Sequence, residues 1–387
     1  MVTPGRLLSL IPIICGLAAF SLAKHAVASS RAVHRKHLRT RATTLPATPG
    51  LTSKASNSPD TNAAAFSLFR GSTWASPRVY NDSIVNEWGF KRATCGMADF
   101  LVADTGMVDR WICFAEGERV VTAAMDALLT KGCRGRNGKS GGAYANADAS
   151  APLFLDVGSN SGFYGLNAIS HGCDAVFFDV QPGCNKVVNA ALLVNDFGSR
   201  GVVMAAGLSD RAGIVRAKSS STCSFDSGRF PVSAIESGTL DEGDVEVPLV
   251  PLSRLLLSAS SSASALTSSA SAAKPWASTS QIFMIKIDTE GLEQRVLAGA
   301  MPLFKGRAVE HVIVEVTPGF QFWEKNGVRP ADVAATMRDI AACGYSFTRL
   351  HLNAGGDKDR TLTDPNRVHS FFLERSFDQE DFLISRT

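Results

Sequence analysis

Acid is missing from the start of this chain. The first 59 residues hold eight Lys or Arg (Arg6, Lys24, Arg31, Arg35, Lys36, Arg39, Arg41 and Lys54) and no Asp or Glu. From Asp60 onward 31 basic residues face 36 acidic ones, a balance of −5 that the overall charge of +3 conceals. A mildly acidic body argues against nucleic acid as the main partner, because phosphate backbones are gripped by basic faces. Charged residues are scarce, at 19% against 45% hydrophobic. A chain of 387 residues with this make-up buries a sizeable core, as one large α/β domain with extensions or as two domains. Zinc-site spacing is also missing. The eight cysteines (Cys15, Cys95, Cys113, Cys133, Cys173, Cys184, Cys223 and Cys343) form no C-x-x-C pair and match no His at ligand spacing. They read as buried small hydrophobes. In an oxidising lumen some could pair, in a pattern the sequence does not assign.

A full-length membrane span is lacking too. Leu7 to Ala23 is a charge-free run of 17 residues, interrupted by Pro12 and Gly16. As a helix it reaches ~25 Å, short of a ~30 Å bilayer core. Arg6 before it and the small-x-small pattern Ala26 to Ala28 after it mark a signal peptide first and an uncleaved anchor second. The flank Arg31 to Arg41 is more basic than the upstream side, opposite to the usual orientation bias. Residues 29 to 59, rich in Ser, Thr, Ala and Arg, have the composition of a transit peptide. Both parts fit an organelle reached through a signal sequence, in the secretory pathway or a plastid, with a membrane tether as an option. The expected organisation is a signal or anchor over 1–28, a transit or linker segment over 29–75, a helical extension and loop over 76–150, and the main domain over 151–380. Within that domain residues 258–280 hold 17 Ser or Ala in 23 and no carboxylate, and read as a disordered insertion.

What is present is an alternation of strands and helices. Residues 116–131 repeat apolar pairs at helical spacing. The following "GRNGKS" fails as a phosphate loop, since Cys133 stands where its first Gly belongs. From Pro152 the strands "LFLDVG", "AVFFDV", "GVVMAAGL", "IFMIKID" and "HVIVEV" alternate with helices over 163–170, 182–196, from about 292, and 330–343, with a small hairpin around "SDRAG". "YSFTRL" and "HSFFLE" read as two closing strands. Apolar strands alternating with helices predict a mostly parallel sheet covered on both faces, and an antiparallel closing pair separates it from a plain dinucleotide fold.

Two motifs carry chemistry. "FLDVGSNSGFYG" reads D-x-G-x-N-x-G over Asp156, Gly158, Asn160 and Gly162. The dinucleotide fingerprint needs glycines where Asn160 and Phe163 stand, and without them a pyrophosphate cannot approach the helix start as closely. S-adenosylmethionine, with no phosphate, suits the loop better. Asp156 could bind its ammonium directly or through water. Asp179, 23 residues on, falls where a carboxylate meets ribose hydroxyls. In "FMIKIDTEGLEQRVLAGA", Lys286, Asp288 and Glu290 fall at the carboxyl end of a strand, the edge that faces ligands in open α/β sheets. A lysine in an apolar strand needs a partner, Asp288 or Glu290. The plainer reading is a structural ion pair with a glutamate at a helix start. Two carboxylates do not make a metal site, and none is expected.

"FLDVGSNSG", "FFDVQPGC", "AAGLSDRAG", "VPLVPLSRLL" and "IKIDTEGLEQRVLAGA" resemble, in order and spacing, the FkbM-type methyltransferases over roughly residues 80 to 375. The resemblance implies a Rossmann-like class I methyltransferase domain with seven strands, using S-adenosylmethionine to methylate hydroxyl oxygens of sugars or other small molecules. Where the family often ends its second strand in Glu-Pro, this chain has Asp179-Val180-Gln181-Pro182, so Asp179 or Gln181 meets the ribose, the charged one being favoured. Leu252-Ser253 stands where the family often has Leu-Asp. The expected cofactor residues are Asp156, Gly158, Asn160, Gly162, Asp179 and Gln181. The expected catalytic residues are Asp288 as base, Lys286 orienting it, and Glu290 assisting or binding substrate. The partner expected is a small-molecule or glycan hydroxyl; oligomeric state is not assigned. A nucleotide-cofactor oxidoreductase and a membrane-tethered binding module without chemistry are the alternatives on the same sheet.

Overall fold

The computed structural model describes residues 89–95, 98–103, 116–133, 151–218, 223, 244–255, 281–318, 322–351, 360–374 and 379–387. The expectations for residues 1–28, 29–75 and 258–280 lie outside them. Among the described residues no helix is long and apolar enough to cross a membrane.

A hairpin comes first, β1 (Phe90–Cys95) and β2 (Ala98–Ala103), then helix α1 (Glu116–Gly132). The main alternation follows as β3 (Leu153–Val157), α2 (Phe163–Ser170), β4 (Asp174–Asp179), α3 (Pro182–Val194) and β5 (Gly201–Ala205). A small sheet contains β6 (Gly207–Leu208), β7 (Gly213–Lys218) and β8 (Asp244–Val250). The chain resumes with β9 (Ile282–Ile287), α4 (Glu293–Gly299), α5 (Met301–Lys305), β10 (Val309–Val316), α6 (Phe322–Lys325) and α7 (Pro330–Ala342). It closes with β11 (Tyr345–Arg349), β12 (Thr361–Leu362), α8 (Pro365–Glu374) and β13 (Glu380–Arg386).

The main sheet has the order β12-β11-β13-β10-β9-β3-β4-β5. The strands from β5 to β10 are parallel, and β13 inserts antiparallel between β10 and β11. This is the expected Rossmann-like, mostly parallel sheet with an antiparallel last strand, with the two-residue β12 added at one edge as an eighth strand. Strand order reverses beside β3, between β4 and β9, so the carboxyl ends of these three strands border a switch-point crevice.

Burial explains the helices. Every residue of β3 is buried, as a parallel strand covered on both faces requires. On one face Leu155, Ile285, Val312 and Val314 meet Val296 and Leu297 of α4, Met337 and Ile340 of α7, and Phe372 of α8. On the other, Phe154, Phe177, Met284 and Ile313 meet Met125 and Leu129 of α1, Leu166 of α2 and Val188 of α3. Each such side chain stabilises the fold by roughly 1.5–3 kcal/mol on full burial. The Asn195 side chain, past α3, accepts from Leu101 N–H and donates to Leu101 O, both at 2.6 Å, tying the hairpin to the domain.

Several expectations are corrected. "HSFFLE" belongs to α8, not to a strand: Val368, Phe371 and Phe372 recur at helical spacing, and Asp364 Oδ1 accepts from Arg367 N–H at 2.9 Å before the first turn. The closing strand is β13. The region around "SDRAG" is not a simple hairpin, because β8 lies between β6 and β7. The extension over 76–150 contains the β1–β2 hairpin as well as a helix. Among the described residues four cysteines are paired, as Cys133–Cys173 and Cys184–Cys223. Cys343 is a free thiol.

The Cys133–Cys173 bridge closes a separation of 40 residues, for which chain entropy gives about 2–4 kcal/mol. Replacing both cysteines by Ala should lower unfolding stability by that amount in urea denaturation. An unchanged midpoint would show that the bridge contributes nothing.

Candidate functional site

The β3–α2 loop turns through three left-handed residues, Gly158 (φ 78°), Asn160 (φ 48°) and Gly162 (φ 80°). Glycine at 158 is required twice over: a Cβ there would lie 1.8 Å from Asp288 O, and φ is positive. Gly158 N–H and Ser159 N–H both donate to Phe178 O, at 2.9 and 3.0 Å, and Gly162 N–H donates to Ser159 O at 2.7 Å. Asn160 N–H donates to Asp179 Oδ2 at 2.8 Å. Four of the loop's N–H groups are thus spent on protein oxygens. Asp156 completes this from below, with Oδ2 accepting from Gly165 N–H at the start of α2, at 2.8 Å. A protein carboxylate occupies the helix terminus that a bound phosphate would need.

Asp179 ends β4 and accepts through both oxygens, from Asn160 N–H and, at 2.7 Å, from Gln181 N–H. Asn185 Nδ2 donates to Asp179 O at 3.0 Å. Carboxylate oxygens carry spare lone pairs, so both can still accept a ligand hydroxyl. The Cys184–Cys223 bridge closes this corner, with Cys223 Sγ 3.1 Å from Asn160 Oδ1.

On the neighbouring strand, Lys286 is 1% exposed. Its Nζ lies 3.6 Å from Asp288 Oδ2 and 4.0 Å from Asp381 Oδ1 on β13, and 5.1 Å from the Tyr164 ring centre. Asp381 in turn meets His351 Nε2 at 2.7 Å. The lysine therefore pairs with Asp288, as one expected option had it, and additionally with Asp381.

One cavity gathers six of the nine expected residues: Gly158, Asn160, Asp179, Gln181, Asp288 and Glu290. Asp156, Gly162 and Lys286 do not line it. Asp156 sits beneath the loop, Gly162 is packed against Val188 at the helix cap, and Lys286 stands behind Asp288. Val180, Ala206, Leu208, Leu249 and Leu292 supply an apolar wall. Asn326, which donates to Glu290 O at 3.2 Å, also lines the cavity. Nothing in its sequence surroundings marks it. Glu293, behind the loop of Asp288, was readable only as one more residue of the "IDTEGLEQ" segment. Among the described residues no group of three or more His, Cys, Asp or Glu could hold a metal ion.

No family model and no curated protein matches the chain. Solved structures do. The bifunctional kinase–methyltransferase WbdD matches at 11% identity and TM-score 0.34, over 79% of this chain and 45% of its own. The METTL16 methyltransferase domain matches at 8% and 0.32, over 70% and 68%. Sp1610 of Streptococcus pneumoniae matches at 12% and 0.28, over 62% and 65%. The chain thus spans less than two thirds of Sp1610 and less than half of WbdD.

Burial pushes three carboxyls up: Asp156 to about 7, Asp179 to about 6 and Glu293 to about 7, with backbone N–H donors opposing the shift in each case. Each lies above its unfolded value, so the folded chain binds more protons between roughly pH 4 and 7, and these groups make stability fall as pH rises through that window. Urea denaturation should therefore show a flatter pH dependence over this range for Asp156→Asn than for the unaltered chain. An identical slope would remove Asp156 from the titration.

Proposed function

We propose that this chain is an S-adenosylmethionine-dependent methyltransferase of the FkbM type, acting on a hydroxyl oxygen of a sugar or other small molecule. One observation carries the reading. Three acidic residues, Asp179, Asp288 and Glu290, line the cavity, and no Lys, Arg or His stands among its described lining residues. Such a wall favours a cation and repels a pyrophosphate. A ligand with an adenine, a ribose and positive charge in place of phosphate fits the apolar wall, Asp179 and the remaining acids together. The spent donors of the loop and the Asp156 cap point the same way.

S-adenosylmethionine, when bound, supplies an electrophilic methyl group on a sulfonium. The chain's own residues have the remaining tasks. Asp179, or Gln181 beside it, accepts from ribose hydroxyls. Asp288 takes the proton of the acceptor hydroxyl at its carboxylate as the new bond forms. Lys286 holds Asp288 in place, since a buried cation favours one orientation of its partner. Glu290 assists or binds the acceptor. The walls exclude water and align the acceptor, which is the larger part of such catalysis.

Two disulfides support maturation in an oxidising compartment. With the N-terminal run of the sequence, this favours an organelle entered through a signal sequence, with a tether to its membrane as an option and no nucleic acid as partner.

Adding S-adenosylmethionine to the full-length chain should raise its unfolding temperature, and NAD should not. A shift with NAD alone would sink the reading, and no shift with either would favour a binding module. Asp179→Ala should weaken cofactor affinity by roughly ten- to a hundredfold, the value of hydrogen bonds to a charged acceptor. Asp288→Asn should abolish labelled methyl transfer to cell-extract acceptors while leaving cofactor binding largely intact. Full transfer by that variant would remove Asp288 from the mechanism.

A further inference from the structure

Asp288 enters the cavity on a loop with an uncommon path. Glu290 (φ 53°) and Gly291 (φ 96°) are consecutive left-handed residues, a conformation that side chains other than glycine adopt rarely. Gly291 also lacks room for a side chain, since a Cβ there would lie 2.6 Å from Phe322 Cβ. Something must hold this path open. Upstream, Asp288 N–H donates to Val157 O at 3.0 Å. Downstream, one atom does most of the holding. Glu293 Oε1 accepts from Gly291 N–H at 2.8 Å, Thr289 N–H at 3.2 Å and Thr289 Oγ1 at 3.2 Å.

Glu293 is the first residue of α4 and is 2% exposed. Its other oxygen, Oε2, is buried with no hydrogen-bond partner among the described residues. Burial and the charge of Asp288 both act against its ionised form. A carboxyl so placed is a poor way to stabilise a fold, because its charge is desolvated and only one oxygen is satisfied. What the position supplies is a single acceptor on which three donors converge. Those donors belong to the residue directly after Asp288 and the residue directly after Glu290. Glu293 does not itself line the cavity.

We propose that Glu293 is a positioning residue. Its Oε1 sets the conformation of residues 288–291 and so directs the carboxyls of Asp288 and Glu290 into the cavity. The acceptor oxygen, not the charge, is the feature required. The consequence for cofactor binding rests on the methyltransferase reading; the control of loop conformation does not.

The test measures amide hydrogen exchange and S-adenosylhomocysteine affinity in the full-length chain for Glu293→Gln and Glu293→Met. Glutamine keeps an acceptor oxygen, so Thr289 and Gly291 amides should stay protected and affinity should stay within about threefold of the unaltered chain. Methionine keeps the size and loses the acceptor. Exchange at those two amides should then rise by at least about tenfold while β9 remains protected, and affinity should fall by a similar factor. Unchanged exchange in Glu293→Met, or loosening equal in both variants, would overturn the proposal. If Glu293→Met fails to fold, Thr289→Val decides, since it removes one of the three bonds. It should speed exchange at Thr289 and Gly291, and no change there overturns the proposal. If the unaltered chain binds no S-adenosylhomocysteine while the exchange pattern holds, the methyltransferase reading fails and the positioning role stands.

Discussion

The Lys286 ammonium, buried at the carboxyl edge of the sheet, is the interaction around which the site is arranged. Three strands send acids toward it: Asp156 from β3, Asp288 just past β9, and Asp381 from β13. A lone cation at this depth would cost several kcal/mol, and so would the buried Asp381 carboxylate without it. Their mutual compensation lets one sheet edge concentrate acid beside a crevice. The register Asp156 opposite Lys286 opposite Ile313 fixes the alignment, and a slip of one residue would turn the lysine to the other face.

From that arrangement the division of labour among the acids follows. Asp156 faces inward and closes the start of α2. Asp179 organises the loop and presents its remaining lone pairs to the cavity. Asp288 faces the cavity with Lys286 behind it. In the proposed reading, chemically similar residues at neighbouring strand ends serve as a cap, a ligand group and a base, and local hydrogen bonds make the difference. In that reading the same features favour a cationic adenosine ligand over a dinucleotide. The helix terminus is filled by protein, and the cavity's charged groups are of one sign.

Much of this was legible in the sequence, and the reasons for the rest are specific. Apolar strands bounded by glycines placed β3, β4, β9 and β10, because burial on both faces leaves few other readings. The D-x-G-x-N-x-G pattern located the loop. It could not show that Asp156 points down and Asp179 points in, since side-chain direction at a strand end depends on the neighbouring helix. "HSFFLE" misled because two adjacent phenylalanines fit a strand as well as a helix, and the deciding residues, Val368 and the Asp364 cap, lie at or beyond its edge. Cys133 and Cys173 are brought together by the packing of α1 and α2, which no spacing rule reports. Asn326 reaches the cavity from a segment beyond β10 with no motif of its own.

In the proposed reading the acid-lined cavity holds an adenosine ligand with its ribose at Asp179 and its sulfur toward Asp288. A crystal structure of the full-length chain with S-adenosylhomocysteine tests it most directly. Ribose hydroxyls are expected within hydrogen-bond distance of the Asp179 carboxylate or Gln181, the adenine against Val180 and Leu208, and the sulfur on the side of Asp288. Ligand density outside this cavity, or with the ribose remote from both residues, would contradict it.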